Sequence, residues 1–287
     1  MSKLLCIVGP TGTGKTTRAI EESRKQPSIL ISADSRQVYR GMDIVTGKDH
    51  PTDVPIYGID IVNPDEPCSV SLWYDAVIPH IEKAWEQRKL PIVVGGTGLY
   101  VKALTNGIPT MGVPINQSLR HKFANFTVAE LQNKLNQLDQ SKFASMNHSD
   151  QNNPRRLSRA IEVAFHSNKV PNLAKQSSEL SEVRSTLVGL RYSDESIQRN
   201  KVYERVLARL KMGAIKETKN LLKRYDRSLP SMSAIGYKSI ISFLENQIDE
   251  ATMIESWVVG ELAYAKRQLT WFRKQPTIWY DVDTIGD

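Results

Sequence analysis

Gly9-Pro10-Thr11-Gly12-Thr13-Gly14-Lys15-Thr16 stands directly after the apolar run 3–8 (KLLCIV). The segment fits G-x-x-x-x-G-K-[ST], a glycine-rich loop between a buried strand and a helix. Its glycines let the backbone wrap around phosphate oxygens, and successive N–H groups at a helix N-terminus form a nest for an anion. Lys15 adds a positive charge, and the Thr16 hydroxyl can ligate Mg²⁺. The segment therefore predicts a strand, a phosphate-binding loop and a helix in succession.

Strand and helix patterns alternate along much of the chain. We predict strands at 3–8, 28–33, 55–62, 91–94, 185–191 and 277–282. We predict helices at 15–25, 69–89, 154–167, 194–225, 233–245 and 249–274. Such alternation gives right-handed crossovers and a parallel sheet covered on both faces. The predicted fold class is therefore α/β: a P-loop NTPase-like parallel sheet flanked by helices, with a small, mostly helical insert and a helical C-terminal part.

The middle of the chain differs in composition from the rest. Thr127 begins a capping-box pattern at the start of a helix, and residues 139–153 are rich in Asn, Ser and Gln. We therefore assign residues 110–153 to a small helical insert. The core domain is predicted to comprise residues 1–109 and 154–287.

The composition is that of a basic globular protein. The 287 residues carry a net charge of +7, and the pI is about 9.3. Positive charge attracts polyanions such as nucleic acids, although a merely basic surface gives the same totals. The two cysteines, Cys6 and Cys68, do not suggest a disulfide scaffold, and no zinc-ligand spacing is present. Without an apolar run of membrane-spanning length or a signal-peptide pattern, we expect a cytoplasmic protein with no membrane partner.

Two polar segments are predicted at the carboxyl ends of strands, where open α/β sheets bind their ligands. They are Asp34-Ser35-Arg36-Gln37 and Gly95-Gly96-Thr97-Gly98. The Asp34 carboxylate can accept a proton or orient a nucleophile, but it could equally cap a helix or support a bound Mg²⁺. Thr97 is either a helix N-cap or a ligand contact, and its position between glycines favours the contact.

Basic residues cluster in two places that are predicted to be helical. Lys266, Arg267, Arg273 and Lys274 surround Trp271 and Phe272, and a second cluster consists of Arg155, Arg156 and Arg159. Cations interleaved with aromatic rings suit RNA, because cations contact phosphates and rings stack on bases. Taken separately, each cluster is more simply explained as the solvated face of an amphipathic helix.

Six blocks follow one another over nearly the whole chain. They are GPTGTGKT at 9–16, ISADSRQVYRGMDI at 31–44, LPIVVGGTGLY at 90–100, NNPRRLSRAIEV at 152–163, SAIGYK at 233–238 and AKRQLTWFR at 265–273. Each block alone is modestly specific, whereas the ordered set is highly specific. On these blocks the sequence resembles the bacterial tRNA dimethylallyltransferases.

The resemblance implies an activity and its partners. The donor would be dimethylallyl diphosphate, and the acceptor would be N6 of the adenosine just 3′ of the anticodon. The glycine-rich loop and Mg²⁺ would hold the diphosphate of the donor rather than a nucleoside triphosphate. The expected partner is the anticodon stem-loop of tRNA, and we expect the enzyme to act as a monomer.

The resemblance also implies roles for individual residues. Asp34 would contact N6 as general base, Thr97 would position the base or the leaving group, and Lys15 would neutralise the diphosphate. The phosphate-loop residues would be Gly9, Pro10, Thr11, Gly12, Thr13, Gly14, Lys15 and Thr16, with Thr16 as metal ligand. The tRNA-binding residues would be Asp34, Ser35, Arg36, Gln37, Thr97, Arg155, Arg156, Leu157, Ser158, Arg159, Gly236, Tyr237, Lys238, Lys266, Arg267, Gln268, Trp271 and Arg273.

The sequence departs from the family pattern in two places. The family usually reads Gly-Thr-Ala-Lys-Pro where this chain has Val45-Thr46-Gly47-Lys48-Asp49, and the middle insert is short. Three alternative functions remain open at this stage. They are a small-molecule P-loop kinase, an enzyme that prenylates free adenine nucleotides, and a P-loop RNA-binding or regulatory protein without catalysis.

Overall fold

The structure is a computed structural model that describes residues 2–167 and 183–283. Its sheet has six parallel strands in the order β3-β2-β4-β1-β5-β6. The strands are β1 (Lys3–Val8), β2 (Ser28–Ser32), β3 (Ile56–Tyr57), β4 (Leu90–Gly95), β5 (Arg184–Arg191) and β6 (Thr277–Asp281). The predicted P-loop NTPase-like parallel sheet is therefore confirmed.

The chain divides into two compact units, which we call the first and the second unit. The first consists of Met1–Asn106 and Glu182–Asp287, and the second is Gly107–Ser181. Helices of the first unit are α1 (Lys15–Lys25), α2 (Val70–Glu86), α3 (Gly98–Thr105), α9 (Glu195–Met212), α10 (Ala214–Leu222), α11 (Ile235–Leu244) and α12 (Glu250–Phe272). Those of the second unit are α4 (Gln117–Phe123), α5 (Val128–Leu138), α6 (Gln140–Ser145), α7 (His148–Gln151) and α8 (Pro154–Ser167).

The two faces of the sheet are buried in separate apolar clusters. Alternate side chains of a strand point to opposite faces, so Cys6 and Val8 join one cluster while Ile7 joins the other. The larger cluster continues into the C-terminal helices through Tyr237 and Trp257, whose side chains are fully buried. The smaller cluster includes Ala19 of α1 and also Leu30 and Ile92 of the neighbouring strands. This two-sided burial explains why β1 reads as a continuous apolar run.

Two predicted elements are shorter in the structure because of residues with positive φ. The strand predicted at 55–62 extends only over Ile56–Tyr57, because Gly58 has a φ of 85° and Asp60 a φ of 53°. The helix predicted at 194–225 is two helices, because Gly213 between them has a φ of 106°. A left-handed residue cannot continue a right-handed helix, and it is the usual C-terminal cap.

The second unit has an apolar core of its own, and that core includes α8. Leu157 and Ile161 of α8 are buried together with Leu131 and Leu135 of α5. The capping box predicted at Thr127 is present at the start of α5. Because α8 supplies half of this apolar contact, the unit extends beyond the predicted boundary at residue 153.

Arg159 ties α8 to the loop that begins the second unit. Its guanidinium donates to the carbonyl oxygens of Thr110 and Val113 at 2.9 and 2.8 Å. It also donates to the Glu162 carboxylate, which is 1% exposed and accepts a second ion pair from Arg120. Arg159 was predicted to bind tRNA, but these contacts give it a structural role within its own unit.

We expect Arg159→Ala to destabilise the second unit by about 2 kcal/mol, because it removes one hydrogen bond to the buried Glu162 carboxylate and two to loop carbonyl oxygens. Hydrogen exchange of the α8 amides measures this local stability directly. The exposed Arg155, one turn away on the same helix, is the matched control, and its replacement by alanine should change stability by less than about 0.5 kcal/mol. Equal protection in the two variants would remove the structural role from Arg159.

Candidate active site

A cavity of about 820 Å³ lies at the carboxyl ends of β1, β2 and β4 in the first unit. The phosphate loop follows β1, the Asp34 turn follows β2, and the Gly95-Gly96 turn ends β4. Because parallel strands end at one edge of the sheet, the three predicted segments come together as expected. Residues of α9, α11 and α12 complete the wall.

The phosphate loop has the backbone geometry that its glycines predict. Gly9 has a φ of 140°, and a Cβ on it would lie 2.1 Å from the Leu190 carbonyl oxygen. Gly14 is left-handed, with a φ of 72°, and stands at the N-terminus of α1. Thr13 is buried, and its hydroxyl donates to the Pro10 carbonyl at 3.0 Å, which braces the loop from within. Thr11, Gly12, Gly14, Lys15 and Thr16 line the cavity.

Lys15 is a cation without a close counter-ion. Its Nζ donates to the Pro10 carbonyl at 2.5 Å, and within the described residues no carboxylate lies at salt-bridge distance from it. Burial, and then the charge of Arg205, lowers the pKa of Lys15 to about 7, and Asp34 and Glu261 only partly oppose this. A desolvated ammonium group beside a second cation is stabilised by an incoming anion. The loop is therefore electrostatically prepared for phosphate.

Asp34 is a carboxylate with increased proton affinity at the same cavity. Burial raises its pKa, although the Arg36 N–H bond and the charges of Lys15 and Arg36 oppose the increase. The Arg36 N–H donates to Asp34 Oδ1 at 2.8 Å and closes a tight turn. Asp34 thus caps a turn rather than a helix, and its carboxylate still faces the cavity.

The Thr97 hydroxyl contacts the Asp34 turn. Thr97 stands at the N-terminus of α3, but its side chain makes no capping bond there. Instead its Oγ1 accepts the Ser35 N–H at 3.0 Å and donates to the Ser35 hydroxyl at 3.4 Å. Gly95 allows the two turns to approach, because a Cβ on it would lie 2.3 Å from the Ala33 carbonyl oxygen.

Arg36 and Gln37 line the cavity but use their polar groups inside the protein. The Arg36 guanidinium donates to the Pro230 carbonyl at 2.8 Å and to the Ser233 hydroxyl at 3.3 Å. The Gln37 amide donates to the Gly47 carbonyl at 2.9 Å and accepts the Ser32 hydroxyl at 2.7 Å. These contacts fix the Asp34 turn against the surrounding loops.

Gln268 of α12 is bonded to the phosphate loop. It is 5% exposed, and its Oε1 accepts the Thr11 N–H at 2.9 Å. Gly96 makes room for it, since a Cβ there would lie 1.7 Å from Gln268 Nε2. Gln268 was predicted to bind tRNA; its side-chain oxygen is engaged with the loop, and the residue also lines the cavity.

Other predicted residues of α12, and Arg273 directly after it, are accessible. Arg267 lines the cavity, with its guanidinium 5.6 Å from the ring centroid of Tyr264. Trp271 is 39% exposed and lies against Gly98, and Lys266 and Arg273 are also exposed. Trp271 is therefore not a core residue.

The α11 segment contributes one accessible side chain from the predicted set. Lys238 is exposed and lines the cavity. Tyr237 is fully buried and donates its hydroxyl to Glu217 at 2.7 Å, so its side chain is not available to RNA. Gly236 packs closely on Trp257, where a Cβ would approach to 2.5 Å.

The remaining predicted RNA-binding residues lie in the second unit. Arg155 and Arg156 are exposed, and Arg156 forms an ion pair with Asp150. Ser158 is half-buried, and Leu157 is 0% exposed in the apolar core. The Leu157 side chain is therefore a packing residue, contrary to the prediction.

Some residues of the cavity wall with charged or aromatic side chains were not singled out from the sequence. They are Arg205, Arg209, Glu261 and Tyr264. The Arg205 guanidinium donates to the Thr11 hydroxyl at 3.3 Å, which places a second cation beside Lys15. Arg205 and Arg209 are four residues apart on α9, and that helical spacing was the available signal.

Thr16 at the cavity wall is the predicted metal ligand, and a separate acidic cluster lies elsewhere. Ligand atoms of Asp43, His50 and Asp60 lie within 4.8 Å of one another. The Lys48 ammonium donates to both carboxylates of that cluster, at 2.7 and 2.5 Å. A cation is thus already supplied by the chain there, so Thr16 remains the better candidate.

The helices of the described residues include no segment long and apolar enough to cross a membrane.

Comparisons with known proteins complete the description of the site. A family model described as IPP transferase matches residues 37–275, and one described as Isopentenyl transferase matches residues 2–59. The tRNA dimethylallyltransferase of Acetivibrio thermocellus is 36% identical over 98% of this chain and 91% of its own length.

Two solved structures are similar over most of this chain. One is the full-length tRNA isopentenylpyrophosphate transferase of Bacillus halodurans, with a TM-score of 0.71 and 33% identity over 98% of this chain and 90% of that one. The other is a eukaryotic dimethylallyltransferase acting on tRNA, which shares the fold with a TM-score of 0.82 at 23% identity, over 98% and 74% of the two chains. With the family match over most of its length and these relatives, the chain belongs to the IPP transferase family.

Proposed function

We propose that this protein transfers a dimethylallyl group from dimethylallyl diphosphate to N6 of the adenosine 3′-adjacent to the anticodon of tRNA. One observation supports the proposal above others. A single cavity is lined by an uncompensated lysine in a phosphate loop and by a carboxylate with increased proton affinity. The first group suits a diphosphate leaving group, and the second suits a proton acceptor.

The transfer divides naturally between these two groups. The bond between C1 of the donor and the diphosphate oxygen breaks, and a bond between C1 and N6 of the adenosine forms. Lys15, Arg205 and the loop N–H groups are the donors available to the departing diphosphate. The lone pair of N6 is delocalised into the purine ring, so the amine is a weak nucleophile. Asp34 takes the N6 proton as the new bond forms.

Mg²⁺ is part of the proposal as a companion of the diphosphate. Thr16, at the cavity wall, would ligate the ion through its hydroxyl. Lys15 has no close counter-ion, so its positive charge favours the binding of a phosphate group beside it. When bound, the ion supplies further neutralisation of the leaving group. Thr97 holds the Asp34 turn through Ser35 and thereby fixes the orientation of the Asp34 carboxylate towards the adenine base.

The accessible basic residues support tRNA as the acceptor. Lys238 and Arg267 line the cavity, while Lys266, Arg273 and the ring of Trp271 are exposed on the same unit. The target base must leave the stack of the anticodon loop, at a cost of a few kcal/mol, and contacts to the neighbouring phosphates offset that cost. Arg155 and Arg156 of the second unit are further candidates. A monomeric enzyme acting in the cytoplasm on the anticodon stem-loop completes the proposal.

We expect Lys266→Ala with Arg273→Ala to weaken tRNA binding and to lower the salt slope of log K by about 1.5, since each lost phosphate contact removes about 0.7 to 0.9. Both side chains lie outside the cavity lining, so donor binding should not change. Fluorescence titrations at several salt concentrations measure the slope. Lys25→Ala with Lys83→Ala, two exposed lysines of the first unit, removes the same charge as a control. Equal salt slopes in the two double variants would show that Lys266 and Arg273 do not contact tRNA phosphates.

A transfer assay separates this function from its alternatives. Purified protein, Mg²⁺ and dimethylallyl diphosphate are incubated with unmodified tRNA or with AMP, and the nucleosides are analysed by mass spectrometry. A prenylated adenosine from tRNA alone is the expected result. Product from AMP alone would identify an adenine-nucleotide prenyltransferase. Transfer of a γ-phosphate from ATP to a small molecule, without prenylation, would identify a kinase.

A further inference from the structure

Arg209 and Glu261 form an ion pair inside the wall of the cavity. Arg209 Nη1 lies 3.4 Å from Glu261 Oε1, and the two side chains are 10% and 14% exposed. Arg209 comes from α9 and Glu261 from α12, so the pair joins the two helices that face the phosphate loop. The Trp257 indole N–H also approaches Glu261 Oε1, at 3.4 Å. The carboxylate is thus held in place from two sides.

Gly47 provides the room that this pair occupies. A Cβ at position 47 would lie 2.4 Å from Arg209 Nη2, and Gly47 has a φ of 64° that also favours glycine. Arg209 therefore packs directly on the backbone of the 45–49 loop, which lines the cavity. A side chain at position 47 would displace this guanidinium, so glycine suits the position.

The pair lies next to the cations that are proposed to hold the diphosphate. Arg205, Arg209 and Glu261 surround a small niche together with Thr11 of the phosphate loop. Glu261 acts electrostatically on Lys15 and Arg205, favouring the charged form of each. The same negative charge repels any anion that enters the loop, because Coulomb interactions between partly buried groups remain substantial over several ångströms.

We propose that Glu261 is a positioning residue that holds Arg209 back from the diphosphate and thereby keeps the pyrophosphate product from binding too tightly. In the empty site the carboxylate balances one of three neighbouring cations, Lys15, Arg205 and Arg209. With a diphosphate in the loop, Glu261 repels the anion and retains Arg209 on Gly47. Release of the product is accelerated at the expense of some donor affinity. This inference rests on the proposed function of the phosphate loop.

The experiment measures binding of inorganic pyrophosphate with Mg²⁺ by calorimetry, without tRNA. Wild-type protein tests the proposed function, since a loop that binds no pyrophosphate would contradict it regardless of Glu261. At about pH 6, below the pKa of Lys15 of about 7, the lysine is protonated in wild type, so its titration does not disturb the comparison.

Glu261→Gln should bind pyrophosphate about tenfold more tightly than wild type, because it removes a nearby negative charge and frees Arg209. The KM for dimethylallyl diphosphate should fall by a similar factor, with the KM for tRNA unchanged. Arg209→Gln should shift pyrophosphate affinity in the opposite direction. Unchanged or weaker pyrophosphate binding by Glu261→Gln overturns the inference, because a merely structural role would lower thermal stability without tightening the binding.

A double variant and a control keep the test decisive if a single variant folds poorly. Glu261→Gln with Arg209→Gln leaves no uncompensated buried charge, and its pyrophosphate affinity should return to within about threefold of wild type. Glu255→Gln is the matched control, because Glu255 pairs with Arg199 at 2.8 Å between the same two helices but on the surface. A similar change of affinity in Glu255→Gln would show that the effect comes from helix pairing and would overturn the assignment to Glu261.

Discussion

Asp34→Asn is expected to lower the rate of prenyl transfer about 10³-fold while leaving tRNA affinity within a few fold of wild type. General base catalysis typically contributes factors of this size, and an amide cannot accept the N6 proton. The asparagine carbonyl oxygen can still accept the Arg36 N–H, which Asp34 Oδ1 accepts at 2.8 Å, so the turn is retained. Single-turnover transfer with saturating donor and tRNA measures the chemical step apart from binding.

The pH dependence provides an independent check on the same residue. Because the pKa of Asp34 is raised by burial, the carboxylate begins to take up a proton at a higher pH than an exposed aspartate. The rate of prenyl transfer should therefore fall as the pH drops through this raised pKa. The Asp34→Asn variant should not show this decrease. Asp49→Asn is the control, since Asp49 also lines the cavity but is exposed. A near-normal rate for Asp34→Asn would transfer the role of base to another group.

The parts of the fold that the sequence predicts well are encoded by neighbouring residues. The strand, the loop and α1 follow from residues 3–25 because the apolar run, the glycines and the helix are consecutive in sequence. The meeting of Asp34 and the phosphate loop at one cavity also followed, since parallel strands present their carboxyl ends at one edge. No long-range packing had to be known for either inference.

The parts that the sequence could not supply depend on contacts between distant residues. Gln268 and Thr11 are 257 positions apart, and only the folded chain shows that the Gln268 side-chain oxygen accepts the loop N–H. Gly96 was the available sequence signal for this contact. A glycine indicates that another group packs closely on the backbone, but it does not indicate which residue supplies that group. The same limit applies to Gly47 and Arg209, whose proximity has no counterpart in local pattern.

The second unit illustrates a related ambiguity. An amphipathic helix such as α8 has one apolar face, and sequence alone does not tell which core receives it. Leu157 is buried in the second unit, so the predicted boundary at residue 153 is too early. Arg155 and Arg159 share a face in a helical projection, but only Arg159 is within reach of the buried Glu162 carboxylate and of the loop carbonyls.

Lys15→Met is expected to raise the Kd for dimethylallyl diphosphate with Mg²⁺ about 100-fold, because it removes a desolvated cation from the diphosphate site. The pH dependence has a definite sign. Burial, with Arg205, lowers the pKa of Lys15 to about 7 in the free enzyme, and a bound diphosphate favours the charged form. Donor binding therefore takes up a proton above about pH 7, so the wild-type Kd should increase with pH there.

The Lys15→Met variant should show no such increase, since methionine has no proton to gain. Calorimetry in two buffers of different ionisation enthalpy counts the protons taken up on binding. This count distinguishes the specific loss of the Lys15 proton from a weaker affinity that any lost positive charge would cause. Lys238→Met is the control, because Lys238 lines the same cavity but is exposed and lies outside the phosphate loop. If Lys15→Met retains both donor affinity and proton uptake, the diphosphate does not contact this lysine, and the uncompensated charge of the loop must serve another anion.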